Sequence, residues 1–389
     1  MSYALALLPI VLLVGRMRVH RWVELAALLL VLIATMPFHG ARPHLLALAI
    51  FNTLLVLLEP PFGMVNALLV GGGLGVWAHM HASFLYGFAL LGGAAIAWSL
   101  ARDVRSVMGT VLALVVGVAL SLLTPLGLQT WIYPLTAVAT PFNLMYNHDW
   151  QSLRPLSASG AAMGLLMLVS VLLGVSRKPS ARAVGAVLLL LPAIQYVRLT
   201  LFAAPLLMVA ALERLIERAP HLRLRPGTRP FELAAAPVVS LVSWALLFIG
   251  LVGMAPLLPV SIEASSLGPV PTTAVDRLLA CGEPAPLWND YNWGAYLTWR
   301  GRGRYLVSID GRDETLYSPE VLDRYVQYIQ GREGWQDLVQ GSPAQYAVLP
   351  ARGFPSMVGL AGWHQVYADA LAAVSARDGA PWHCASGPF

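Results

Sequence analysis

From Met64 to Ala101 the chain runs for 38 residues without an Asp, Glu, Lys or Arg. Wound as one α-helix it would reach about 57 Å, roughly twice the ~30 Å hydrocarbon thickness of a bilayer. The run therefore has to fold back on itself. Within it, the stretch GVWAHMHASFLYGF brings Trp77, His79 and His81 close together. These amphipathic side chains mark where two membrane helices meet an aqueous or interfacial zone.

Composition extends this reading to most of the chain, which is 57% hydrophobic and only 12% charged, against about 25% charged in soluble domains. The charge is also unevenly spread. Met1 to Val260 is a series of apolar blocks, whereas the remainder has the balance of an ordinary soluble domain. We therefore expect an α-helical polytopic membrane domain over 1–260 and a small α/β soluble domain over 261–389. The blocks imply about ten spans, near 2–15, 22–38, 44–58, 63–78, 82–101, 107–124, 160–176, 183–198, 199–213 and 234–258. The first block has no basic residue before it and is followed by Arg16, Arg18 and Arg21. That is the wrong polarity for a secretory signal, so it reads as a retained helix.

Taken alternately, the connections differ sharply in charge. RMRVHR, EPPFG, ARDVRS, SRKPSAR and ERLIERAPHLRLRPGTR carry thirteen Lys and Arg. HGARPH, the histidine turn, Pro125 to Gly160 and the junction at Arg198 carry three. The positive-inside rule places the first set in the cytoplasm, leaving the N-terminus and the C-terminal domain outside. The net charge of +5 then reflects topology rather than a nucleic-acid surface.

Both cysteines, Cys281 and Cys384, fall in the exterior domain. Either they form a disulfide, permitted on that side of a membrane, or they are two free thiols. Between Thr272 and Arg377, runs such as PLWND, RYLVSID, AQYAVLP, WHQVYAD and ALAAVSAR read as strands, and TTAVDRLLACG and SPEVLDRYVQYIQGREGWQDLVQ as helices. A sheet of about five strands with helices on its faces is expected. Asp310, Arg312 and Asp313 in SIDGRDE follow a strand's carboxyl end, the usual ligand position in open α/β sheets. The alternative is a DG turn in which carboxylate and guanidinium pair only with each other. The domain contains no G-x-G-x-x-G, Walker, H-E-x-x-H or C-x-x-C pattern, so nothing in it points to nucleotide or zinc.

In the membrane half, residues 124–155 form the longest exterior connection between spans, rich in Pro, Trp and Tyr. There His148 and Asp149 bring a carboxylate to the outer face beside Trp150. Asp149 can act as a general base, or hold a divalent cation that bridges to phosphate; the alternative is a solvated interfacial loop. Arg198 lies where one apolar block runs into the next, so it either faces a polar cavity, a partner or a lipid phosphate, or it snorkels from a short turn. His79 and His81, two positions apart, do not share a helix face, and no Cys, Asp or Glu lies nearby in sequence to complete a metal shell. They read as lining an exterior cavity.

Several motifs occur in order: W-A-x-x-H at Trp77 to His81, T-P-x-G and then Y-P at Thr124 to Pro134, the D-W of Asp149 and Trp150, Arg198, then GAYLTWR, SIDGR, GREGW and YAVLP in the tail. From about Arg42 to Arg377 the chain resembles a group of bacterial polytopic proteins related to the GT-C-type glycosyltransferases. The resemblance implies a GT-C-like fold in the bacterial inner membrane, a periplasmic C-terminal domain, and a polyprenyl-phosphate-linked sugar as donor. Transfer from such a donor needs a cation or Arg cluster to hold the leaving phosphate and a base for the acceptor hydroxyl: Arg198, with Arg42, can supply the first and Asp149 the second, and His79, His81, His148 and Trp150 are the further substrate-binding candidates. The similar proteins carry N-L-H-G at His79 to Ala82, N-P-x-G at Thr124 and E-W at Asp149 and Trp150. Their principal catalytic carboxylate sits in a first exterior loop after an N-terminal helix, whereas the first exterior loop here, HGARPH, holds no acid. The expectation is a transferase whose missing segment lies upstream or comes from a separate polypeptide, or a derivative that has lost transfer chemistry. A non-catalytic scaffold whose exterior domain binds a partner or polysaccharide is the alternative, and a transporter the third reading.

Overall fold

The computed structural model describes residues 2–38, 44–137, 150, 152–173, 180–223, 270–312, 316–353 and 355–384. The chain divides into two compact units, Met1–Leu258 and Pro259–Phe389. The first is helical: α1 Ser2–Met17, α2 Arg21–Ala34, α3 His44–Leu57, α4 Met64–Met80, α5 Phe84–Leu100, α6 Val104–Ser121, α7 Gln129–Ala137, α8 Ala158–Leu173, α9 Ala181–Gln195 and α10 Thr200–Arg218. Each expected apolar block within the described residues is helical, and the block near 234–258 lies outside them. By length and composition, Val104–Ser121 and Val197–Arg218 are the two described stretches able to cross a membrane; the other helices are shorter.

Local chemistry sets these boundaries. Asp103 caps α6 by accepting from Ser106 N–H at 3.1 Å and Ser106 Oγ at 2.6 Å, and Ser180 caps α9 by accepting from Ala183 N–H at 3.1 Å. How α6 packs is unusual for a helix in water. It buries Ser106, Gly109, Thr110, Ala113, Gly117 and Ser121 while exposing Val104, Met108, Val111, Val115 and Val118. Small residues face inward because backbones approach closely. A Cβ on Gly71 of α4 would sit 2.8 Å from Ala113 O of α6, and one on Gly93 of α5 would sit 2.8 Å from the Gly185 nitrogen of α9. α2 similarly exposes Trp22, Leu25 and Leu29.

Hydrogen bonds gather alternate connections at opposite ends of the bundle. At one end His20 N–H, between α1 and α2, donates to Leu222 O just past α10 at 2.9 Å. Arg214 and Arg218 of α10 donate to Leu173 O and Leu172 O at the end of α8, each at 3.2 Å. Phe62 N–H, between α3 and α4, donates to Ser106 Oγ in the first turn of α6 at 2.9 Å. Arg182 ties α9 to α3 and α10: Nε and Nη2 donate to Leu55 O at 2.9 and 2.7 Å, Nη2 to Glu59 at 3.0 Å and Nη1 to Glu213 at 2.6 Å. At the far end Tyr3 of α1 bonds Thr35 beyond α2, and Leu153 N–H donates to Ile194 O at 3.4 Å. Fifteen residues of helix rise about 22 Å, so Arg182 at the start of α9 and Arg198 beyond its end occupy opposite ends of the bundle.

The second unit is an α/β layer structure. Its strands are β1 Ala285–Asn289, β2 Tyr305–Val307, β3 Tyr346–Pro350, β4 Trp363–Ala368 and β5 Ala372–Arg377, and its helices α11 Thr272–Cys281, α12 Tyr291–Gly301, α13 Pro319–Ile329 and α14 Trp335–Gln340. The sheet order is β2-β1-β3-β5-β4, with β1 parallel to β2 and β3, and β5 antiparallel to β3 and β4. One core packs Val275, Leu278, Trp293 and Leu297 on Leu287, Tyr346 and Val374; another packs Tyr328 and Val339 on Ala347 and Leu349. The sheet matches the expected five strands, but α12 is additional. YNWGAYLTWRG has aromatics and glycine where helix formers are usual, and it winds because Asp290 caps it, accepting from Asn292 N–H at 2.9 Å. Gly294 lets it lie against Asp310, whose Cα would be 3.0 Å from a Cβ there. Cys281 and Cys384 are joined by a disulfide, with Cα atoms 5.2 Å apart, tying the end of α11 to the tail.

Candidate functional site

Arg198 sits in a single 3₁₀ turn, Val197–Leu199, between α9 and α10. The turn follows because α9 ends at Gln195, three residues after Pro192, and the next residue, Tyr196, is extended. One guanidinium nitrogen, Nη2, lies 2.8 Å from His81 Nε2. A guanidinium has only N–H donors, so Nε2 is the acceptor. Nδ1 lies 2.7 Å from Ser83 Oγ and 3.1 Å from the Ser83 backbone nitrogen, and Ser83 Oγ accepts from Trp77 Nε1–H at 3.1 Å. Trp77 is fully buried, so the relay Trp77–Ser83–His81 rests on the core and fixes where Arg198 points.

An aromatic wall completes the setting. The Arg198 guanidinium carbon lies 5.4 Å from the Trp150 ring centroid, a cation–π distance. Trp150 in turn packs edge-on against Tyr196 at 5.7 Å. Beneath, Phe202 packs against Trp77, Phe51 and Tyr86 at 5.6, 5.3 and 5.2 Å. The result is an oriented cation on an apolar floor, a setting suited to a phosphate or carboxylate group attached to an apolar chain.

The structure thus brings together His81, Arg198 and Trp150 of the sequence-derived set. His79 is exposed, with its Nδ1 2.9 Å from Gly75 O of its own helix, and does not join them. Arg42, His148, Asp149 and Asp313 lie outside the described residues. Ser83 and Tyr196 were not singled out from sequence; Ser83, two residues after His81 at the head of α5, carried a usable signal. Among the described residues, Glu24, Glu59, Asp103, Glu213 and Glu217 are the acids of the helical unit, and all lie at the Arg182 end. No three His, Cys, Asp or Glu converge as a metal shell among the described residues.

In the second unit Asp310, 2% exposed, follows β2, and Arg312 wraps back onto it. Nε reaches both carboxylate oxygens at 2.9 Å and Nη2 reaches Oδ2 at 2.6 Å. Burial would raise the Asp310 carboxyl, but Arg312's hydrogen bonds and charge prevail and hold it below the usual range. Arg312 thus pairs with Asp310, and Tyr317 acts on both groups.

Asp290, beyond β1, behaves oppositely. It is 3% exposed, and burial pushes its carboxyl up against hydrogen bonds from Asn292 and Tyr325. Between the usual Asp value near 3.9 and the raised one, the folded state holds more protons than the unfolded. Stability from this group is therefore full below that window and falls as pH rises through it. Asp290→Asn keeps an acceptor for the α12 cap. Its melting advantage over wild type should be nil at about pH 3 and grow with pH; a flat difference across the titration would refute the assignment.

Neither a family model nor a curated protein matches the sequence.

Proposed function

We propose that the chain is a bacterial inner-membrane protein of GT-C-like architecture, acting in or derived from sugar transfer from a lipid-phosphate carrier to an envelope glycan or lipid. The single observation that carries the reading is the Arg198 cluster, an oriented guanidinium at the bundle end remote from the arginine-rich connections. Membrane residence is supported by the inverted packing of α6, small and polar inside and large apolar outside, which water would not tolerate over several helices. Helices of 14–17 residues rise only about 21–26 Å, a mismatch that local thinning and snorkelling side chains accommodate. The disulfide in the second unit supports an oxidising, periplasmic location for it.

On this reading Arg198 holds the carrier's phosphate through N–H donors, and Trp77, Ser83 and His81 keep the guanidinium from turning. The apolar floor receives the first part of the isoprenoid chain. Asp149 is the candidate base for the acceptor hydroxyl, with a divalent cation as a candidate bridge to phosphate. A second reading, the non-catalytic derivative or scaffold, is favoured by one observation: among the described residues every acid of the helical unit lies at the Arg182 end.

Transfer from a labelled polyprenyl-phosphate sugar, and binding of that lipid, should be measured in proteoliposomes. Arg198→Ala should reduce both by about 10²-fold or more, while Arg198→Lys retains part of the binding through its charge. Binding without transfer in the wild type would identify the derivative reading. Wild-type binding and turnover in Arg198→Ala would remove Arg198 from the site.

A further inference from the structure

The outward face of α11 and α12 has a composition that folding does not require. Trp293 and Leu297 of α12 and Val275 and Leu278 of α11 fill the core. On the solvent side, Trp299 is 60% exposed, with its ring centroid 6.0 Å from that of Tyr296. The outer faces of the two helices and the turn after α12 carry Arg277, Arg300, Arg302 and Arg304, all exposed, with Asp276 the one acid in those segments; Arg277 lies towards Tyr367 and its partner Asp369. Arginine near a helix C-terminus favours the helix dipole, and two of the four have local tasks. Arg304 donates to Leu279 O and Gly282 O at the end of α11, each at 3.2 Å, and Arg300 pairs with Asp276 at 2.7 Å. Neither task explains an exposed tryptophan, nor Arg302, which stands left-handed at φ 47° and for which no side-chain partner occurs among the described residues.

We infer that this face docks the second unit onto an anionic lipid surface, with Trp299 at the headgroup–acyl boundary and the arginines on lipid phosphates. The chemistry is complementary. An indole has an apolar body and one N–H and settles at headgroup depth, and guanidinium forks match phosphate oxygens. The inference rests on the membrane reading above, because a tethered bilayer is what keeps such a surface within reach.

The test uses the full chain in lipid nanodiscs, with the disulfide intact and a fluorophore on Trp299→Cys or, separately, on Val115→Cys in α6. Lipids brominated in the upper acyl chain serve as quencher. In phosphatidylglycerol-containing discs both probes should be quenched. Replacing phosphatidylglycerol with phosphatidylcholine, or introducing Arg302→Glu, should weaken quenching at position 299, each arginine contributing about fivefold in surface partition, and leave position 115 unchanged. Quenching at 115 without quenching at 299 would overturn the docking while sparing the membrane reading, and would direct the face towards a polysaccharide or protein instead. Equal quenching at 299 in neutral and anionic discs would also overturn it. No quenching at either position would overturn both.

Discussion

Replacing Arg182 with alanine should destabilise the helical unit by about 3–5 kcal/mol, the largest effect expected of any single substitution here. The side chain is 8% exposed and holds Glu59, Glu213 and the Leu55 carbonyl together at 2.6–3.0 Å. Removing it leaves Glu213, 22% exposed, without its cation and uncaps the last turn of α3. Arg182→Ala combined with Glu213→Gln should recover part of the loss, because no carboxylate is then left facing an absent charge. Denaturant or thermal unfolding in detergent measures both. A loss within about 0.5 kcal/mol for the single variant, the range of an ordinary surface change, would mean the network stabilises nothing.

Loss of the disulfide ranks next. Cys281 and Cys384 are separated by 103 residues, and removing a native bridge from a small disulfide-bonded domain costs about 2–5 kcal/mol. The bond closes nearly the whole second unit, so Cys281→Ser with Cys384→Ser, or reduction of the wild type, should accelerate amide exchange throughout β1 and β3. Because both strands lie inside the closed loop, they should accelerate together. Exchange altered only in the last few residues would show that the bridge merely pins the tail.

Sequence made the helical order legible because hydropathy and arginine placement are read residue by residue. The alternation that put RMRVHR and EPPFG on one side and the histidine turn and Arg198 on the other reappears as two hydrogen-bonded ends of one bundle. Strand content in the tail was legible for a similar reason: AQYAVLP and ALAAVSAR are short apolar runs bounded by turns. What stayed hidden depended on contacts across the chain. In YNWGAYLTWRG the aromatics and glycine hide a helix whose one local signal is the Asp290 cap just ahead of it; its glycine matters only against Asp310, reached across the chain. His79 and His81 look equivalent in sequence, yet the α4 terminus falls between them. His79 therefore turns to its own helix, and His81 meets an arginine 117 positions away. Arg182 passed as one more basic residue in a loop because its carboxylate partners lie on α10 and beyond α3.

Everything proposed for Arg198 depends on the two ends of the bundle facing different compartments. Leu156, fully exposed ahead of α8, lies at the Arg198 end; Ala101, exposed at the end of α5, lies at the Arg182 end. Single cysteines placed there, with Cys281 and Cys384 oxidised, can be probed in intact cells with a membrane-impermeant maleimide. Leu156→Cys should label from outside and Ala101→Cys only after permeabilisation. Labelling of Ala101→Cys with protection of Leu156→Cys, or identical labelling of both before permeabilisation, would contradict the account.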